Sequence, residues 1–127
     1  MNSKQRFLIC QHCGNLVGFI ENQGVPLMCC NEQMTELIPN TATASVEKHH
    51  PAVTISGDKI GVNVGSTPHP MEEGHHISFV YVETERGGQR KCLRTAEAPS
   101  ATFSFADDRP TAVFSYCNLH GLWKTEI

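Results

Sequence analysis

Four cysteines near the start decide how the first part of this chain can fold: Cys10-Gln11-His12-Cys13 and, separated from them by fifteen residues, Cys29-Cys30. Two close thiol pairs at this separation signal a tetrathiolate metal site. The first pair forms a knuckle whose backbone amides can point at the sulfurs, with Gly14 easing the turn. A segment of about 35 residues cannot bury enough apolar surface to fold alone, so metal binding supplies its folding free energy. Residues 16–20 and 26–28 read as short strands around an Asn22-Gln23-Gly24 turn. The adjacent Cys29 and Cys30 are unusual, because successive side chains of an extended chain point opposite ways and strain a shared tetrahedron. Spacing alone leaves iron and zinc both open here. His12 reads as an exposed loop residue.

Composition bounds the rest. A chain of 127 residues makes one ordinary domain, or one domain plus a small metal-stapled module. A formal charge of -3 and a pI near 6.1 give no basic footprint for nucleic acid or an anionic membrane. No apolar run approaches the roughly 18 residues that span a bilayer. Before the first cysteine only Phe7-Leu8-Ile9 is apolar, too short for a secretory signal. The expectation is a cytoplasmic protein, where six cysteines mean metal or redox chemistry rather than disulfides.

Residues 37–44 mix small, polar and proline residues and read as a linker. Beyond it the pattern is β throughout. Residues 53–55 lead to a Gly57-Asp58 turn, and 60–64 alternate apolar and polar side chains. Residues 77–82 follow, with a turn at Gly87-Gly88, then 90–94, 101–105 and 112–116. Short strands with turn punctuation and no helical period predict an antiparallel β-sandwich.

Three further groups carry metal-binding chemistry: Lys48-His49-His50-Pro51, His69-Pro70-Met71-Glu72-Glu73-Gly74-His75-His76, and Cys117-Asn118-Leu119-His120. Each falls at a strand end or in a loop, where a rigid sandwich can present it. Sulfur with several imidazoles suits iron, copper or zinc and excludes magnesium or calcium. By the alternation argument only one member of each histidine pair faces a common ion, and side-chain chemistry does not choose between them.

Taken together, Glu47-Lys48-His49-x-Pro51, His69-Pro70-Met71-Glu72-Glu73-x-His75 and Cys117-Asn118-x-His120-Gly121-x-Trp123 resemble the iron-site motifs of superoxide reductases. The cysteine arrangement is similar to the desulforedoxin-like domain of the two-iron members, the desulfoferrodoxins, so the resemblance spans essentially the whole chain. It implies an all-β protein: a metal-stapled domain at 1–37, with iron on Cys10, Cys13, Cys29 and Cys30, and an immunoglobulin-like antiparallel β-sandwich at 38–127. It further implies a ferrous ion held by His49, His69, His75 and His120 in a plane, with Cys117 as axial thiolate opposite an open position. A trans thiolate donates electron density to the metal. The implied reaction takes superoxide, one electron and two protons to hydrogen peroxide. Lys48 would draw the anion in, and Glu47 would close on the ferric ion after turnover. A homodimer and a rubredoxin-like electron donor are also implied.

Gly74 departs from the family pattern, where lysine is frequent, and suggests a more mobile and less positive loop. Cys92 belongs to neither motif and reads as a plain packed or half-exposed thiol. Trp123 and Met71 read as packing residues. Two rivals remain on the residues alone. A blue-copper electron carrier takes two histidines, a cysteine and usually a weak axial methionine, but no methionine follows Cys117. A protein with two structural zinc sites requires closed four-coordinate centres.

Overall fold

The computed structural model describes residues 5–42, 44 and 46–127, with Glu47 described by its backbone alone. The described residues up to Ile38 form one compact unit and Pro39–Ile127 a second.

In the first unit β1 (Phe7–Ile9), β2 (Leu16–Gly18), β3 (Met28–Cys29), β4 (Glu32–Gln33) and β5 (Thr35–Leu37) are all short. Segments 16–20 and 26–28 are extended only at one end each, and they do not pair with each other. Instead β1 lies between β2 and β5, and β3 pairs with β4. Few apolar side chains are buried there: Phe7, and a cluster of Leu8, Cys10 and Met34 with Phe19 and Cys29 packed against it. So few apolar side chains cannot balance the entropy of ordering the segment.

The second unit opens with one helical turn, α1 (Val46–His49). Seven strands follow: β6 (Pro51–Ser56), β7 (Lys59–Val64), β8 (Ile77–Thr84), β9 (Gly87–Cys92), β10 (Ser100–Ser104), β11 (Pro110–Cys117) and β12 (Gly121–Glu126). They form two antiparallel sheets, β10-β7-β6 and β12-β11-β8-β9. Strand β7 alternates as expected, and its Ile60, Val62 and Val64 meet Val80 and Val82 of β8, Phe103 of β10 and Val113 of β11. This shared core makes the two sheets a sandwich.

Two details differ from expectation. Strand β12 was not foreseen; it pairs along β11 from Cys117↔Gly121 to Ala112↔Glu126. The turn expected at Gly87-Gly88 lies instead at Glu85-Arg86, and both glycines belong to β9. Glycine is needed at 88 for packing, since a Cβ there would collide with the Tyr81 ring.

Strands β9 and β10 are edges of different sheets. Side chains bridge them: Gln89 Nε2 donates to the Ser104 carbonyl at 2.8 Å, and Lys91 Nζ donates to the Thr102 carbonyl. No helix among the described residues is long and apolar enough to cross a membrane.

The Glu85-Arg86 turn is tied to the β10–β11 loop through Asp108. The Thr84 hydroxyl donates to Asp108 Oδ2 at 2.6 Å, while the Arg109 and Arg86 amides donate to Oδ1 at 2.9 and 3.3 Å. The Thr84 hydroxyl foremost, with those amides, holds this carboxyl below the usual 3.8. A carboxyl made more acidic by folding stabilises fully above 3.8, and this contribution is lost as pH falls through the lower folded value. Thr84→Val is expected to return Asp108 toward 3.8, read from its carboxyl carbon in an NMR titration. An unmoved titration would show that the hydroxyl is not the cause.

Candidate metal centres

The sulfurs of Cys10, Cys13, Cys29 and Cys30 all lie within 4.8 Å of one another. Around the knuckle the Cys13 amide donates to Cys10 Sγ at 3.5 Å, the Asn15 amide to Cys13 Sγ at 3.4 Å, and Asn15 Nδ2 to Cys29 Sγ at 3.6 Å. Gly14 takes the left-handed conformation the knuckle needs, at φ 83°. The problem of adjacent Cys29 and Cys30 is solved by backbone conformation. Cys30 and Asn31 connect β3 to β4 as a two-residue turn, with φ values of 51° and 67°. Leaving the extended region at residue 30 lets both sulfurs face one point. Asparagine tolerates that region well, whereas cysteine is strained in it.

The thiols are electrostatically uneven. The Cys13 amide foremost pulls the Cys10 thiol down to about 6. Hydrogen bonding to Cys13 and Cys10 pushes Cys30 up to about 12, and the same two neighbours raise Cys29. The cluster thus accepts negative charge readily at Cys10 and resists it at Cys29 and Cys30. A cation that replaces the thiol protons removes the conflict.

The second cluster forms at one end of the sandwich, and strand register explains why. Pro51 of β6 pairs with Val64 of β7, Ile77 of β8 with Cys117 of β11, and Cys117 with Gly121 of β12. The start of β6, the end of β7, the start of β8, the end of β11 and the start of β12 therefore lie together. His49 sits in α1 just before β6, His69 and His75 in the β7–β8 loop, Cys117 at the end of β11 and His120 in the β11–β12 turn.

Four imidazoles close a ring there. Centroids lie 4.6 Å apart for His49–His69, 4.7 Å for His69–His75, 5.2 Å for His75–His120 and 4.8 Å for His120–His49. Each neighbour meets the next edge to face, and the His49–His75 diagonal is 6.4 Å. Donor atoms of His49, His69, His75 and Cys117 lie within 4.8 Å of one another. His120 Nδ1 lies 3.0 Å from His49 Nε2 and 3.8 Å from Cys117 Sγ. His49, His69 and Cys117 are 3%, 2% and 0% exposed, so these donors are out of water's reach.

The Nε2 atoms of His69 and His75 are buried with no hydrogen-bond partner. Orphaned polar atoms are costly in a protein interior, and two aimed into one ring of nitrogens call for a cation. His69 is prepared for that role. Burial foremost holds it down to about 4, with repulsion from the other three rings adding to the effect, so it is neutral at ordinary pH. Its Nδ1 lies 2.6 Å from the Pro70 carbonyl, which leaves Nε2 as the free donor. Burial pushes the Cys117 thiol up, while the Leu119 and His120 amides pull against it.

The surroundings hold the ring in place. Trp123 is stacked on His49 at 5.1 Å, and its indole N–H donates to the His120 carbonyl at 3.2 Å. The Ser115 hydroxyl donates to the His49 carbonyl at 3.1 Å. Asn118 bonds to Gly74 and His76. Sequence reasoning took Trp123 for packing and missed Ser115 and Asn118. A signal for Ser115 existed: it is a polar residue between Val113 and Cys117 on the inward face of β11.

Of the paired histidines, His49 and His75 enter the ring. His50 turns to Thr125, with Nδ1 3.1 Å from Oγ1, and the half-buried His76 has Nδ1 3.0 Å from the Glu72 carbonyl. The sulfur of Met71 accepts the Ile77 amide at 3.4 Å, so it is no copper ligand. Five donors exceed the four of a structural zinc site. Lys48 is exposed on α1 next to His49. The side chain of Glu47 lies outside the described residues. Cys92 is exposed, and His12 is exposed with Nε2 2.9 Å from Glu32.

Comparisons with known proteins agree with this geometry. The family described as Desulfoferrodoxin matches residues 41–126. The chain is 38% identical over 117 residues to the desulfoferrodoxin of Nitratidesulfovibrio vulgaris, covering 92% of each chain. It is 35% identical over 100 residues to the superoxide reductase of Pyrococcus horikoshii, covering 64% of this chain and 86% of the other. The crystal structure of the superoxide reductase from Treponema pallidum superposes with a TM-score of 0.82 at 33% identity, covering 98% of this chain and all of that one.

Ser115→Ala removes a buried hydroxyl from the His49 carbonyl and is expected to cost about 1–3 kcal/mol of stability. Denaturant unfolding of the two proteins measures it, and equal midpoints would show that this bond does not hold His49.

Proposed function

Because the chain belongs to the desulfoferrodoxin family, we propose that it is a superoxide reductase that converts superoxide, one electron and two protons to hydrogen peroxide without releasing dioxygen. One observation carries this reading: four imidazoles and a thiol converge at the end of the sandwich, with two buried nitrogens left without partners.

His49, His69, His75 and His120 would hold an iron ion through their ring nitrogens, and Cys117 through its thiolate. Ferrous iron bound there supplies the single electron that superoxide needs, and an external reductant restores it. Cys10, Cys13, Cys29 and Cys30 would hold a second iron. Residues 1–37 are assigned as the domain of that second iron and 38–127 as the reductase domain.

The chain's own residues do the remaining work. Burial and mutual repulsion keep the His69 ring unprotonated and available as a donor. The exposed Lys48 ammonium, beside His49, attracts a small anion on a protein of negative net charge. It also orders a water that can deliver a proton. Glu47, two residues before His49, would supply a carboxylate to the oxidised ion. A homodimer and a rubredoxin-like one-electron donor complete the proposal. Six free cysteines support a cytoplasmic setting.

The direct experiment exposes the reduced, iron-loaded protein to superoxide and follows its consumption together with dioxygen. Consumption with one protein electron per superoxide and no dioxygen is expected; dioxygen release in dismutase proportion, or no reaction, would remove the reading. Lys48→Ala is expected to slow the reaction by about tenfold at low salt and to flatten its ionic-strength dependence. An unchanged rate and salt profile would remove Lys48 from the role. Replacing Cys13 by Ser tests the second iron: normal turnover with an external donor makes that centre a structural staple, and lost turnover makes it an electron relay.

A further inference from the structure

Resting on the ligand set proposed above, we infer that Asn118 is a positioning residue: its carboxamide latches the His75-bearing turn to the Cys117–His120 turn and sets how tightly the site holds its metal. The argument starts where regular pairing fails. Strands β8 and β11 are in register through Tyr116↔Phe79, and then slip by one residue so that Cys117 faces Ile77. Past this irregularity the Asn118 amide still donates to the His76 carbonyl, at 3.2 Å. The side chain supplies what the ladder no longer provides. Asn118 Oδ1 accepts the His76 amide at 2.9 Å, and Asn118 Nδ2 donates to the Gly74 carbonyl at 3.0 Å.

Three bonds thus join one residue to the two residues flanking His75. The turn they grip is closed in itself: the Glu72 amide donates to the His75 carbonyl at 2.9 Å, and the His75 amide to the Glu72 carbonyl at 3.2 Å. The turn and its imidazole are therefore held as a unit from outside. A carboxamide places an acceptor oxygen and a donor nitrogen on one short planar group, and asparagine does so with one methylene fewer than glutamine. The grip on residue 74 is through its carbonyl, so it does not depend on which side chain stands there. The turn that carries Gly74 is hydrogen-bonded to Asn118 and within itself. Outer partners that orient metal ligands typically change metal affinity by 10–100-fold when removed.

The test uses full-length protein loaded at both sites, with the tetrathiolate centre as internal control. Metal loss to excess chelator is followed at each centre for the native chain, Asn118→Ala and Asn118→Asp. Hydrogen exchange of the His76 amide is followed in the zinc-loaded form. In Asn118→Ala the histidine–cysteine centre is expected to lose metal at least about tenfold faster, with the tetrathiolate centre unchanged. The His76 amide is expected to exchange about tenfold faster. Asn118→Asp keeps the acceptor for His76 and loses the donor to Gly74, so its His76 amide stays protected while metal loss is intermediate. Native loss and exchange rates in Asn118→Ala would overturn the latch, as would equal acceleration at both centres, which marks general unfolding. If the native chain holds no metal at the histidine–cysteine site, it is the ligand reading that fails.

Discussion

The structure depends on gathering donors that repel one another and lack water. Four imidazole rings and a buried thiol share one end of the sandwich, and the Nε2 atoms of His69 and His75 have no hydrogen-bond partner. Such a cluster is unfavourable as bare protein, because each desolvated lone pair has lost its hydrogen bond to water. A cation answers all of these deficits at once. The tetrathiolate cluster shows the same physics with charge in place of dipoles: Cys10 gives up its proton easily, and Cys30 keeps its own. Both sites are arrangements whose stability is deferred to a metal.

What makes the second cluster affordable is the sandwich beneath it. The hydrophobic layer of Ile60, Val62, Val64, Val80, Val82, Phe103 and Val113 needs no metal to be well packed. Antiparallel register then brings the ends of β6, β7, β8, β11 and β12 to the same place. The first unit has no comparable layer. Its few buried side chains and a strained turn at Cys30 leave the cluster itself as the centre of organisation.

Much of this was legible in the sequence. The alternation of 60–64 marked a strand with one face in the core, and the cysteine and histidine groups marked both clusters before any coordinates. The missing parts have physical reasons. Strand β12 was hidden because Gly121-Leu122-Trp123 reads equally as the end of a metal-binding turn. The turn at Glu85-Arg86 lost to the Gly87-Gly88 pair because glycine signals a turn more strongly than charge does, while Gly88 in fact answers a packing demand from Tyr81. The conformation of Cys30 could not be read, since a cysteine gives no local hint of positive φ. Asn118 and Ser115 act through partners 42 to 66 residues away, a separation that no local pattern reports.

The bridges from Gln89 and Lys91 to the carbonyls of β10 bear on how the sandwich protects its margins. Two sheet margins face each other there, and side-chain donors already occupy acceptors that a stray strand would need. Along this margin the sandwich offers little template for chain-to-chain zippering.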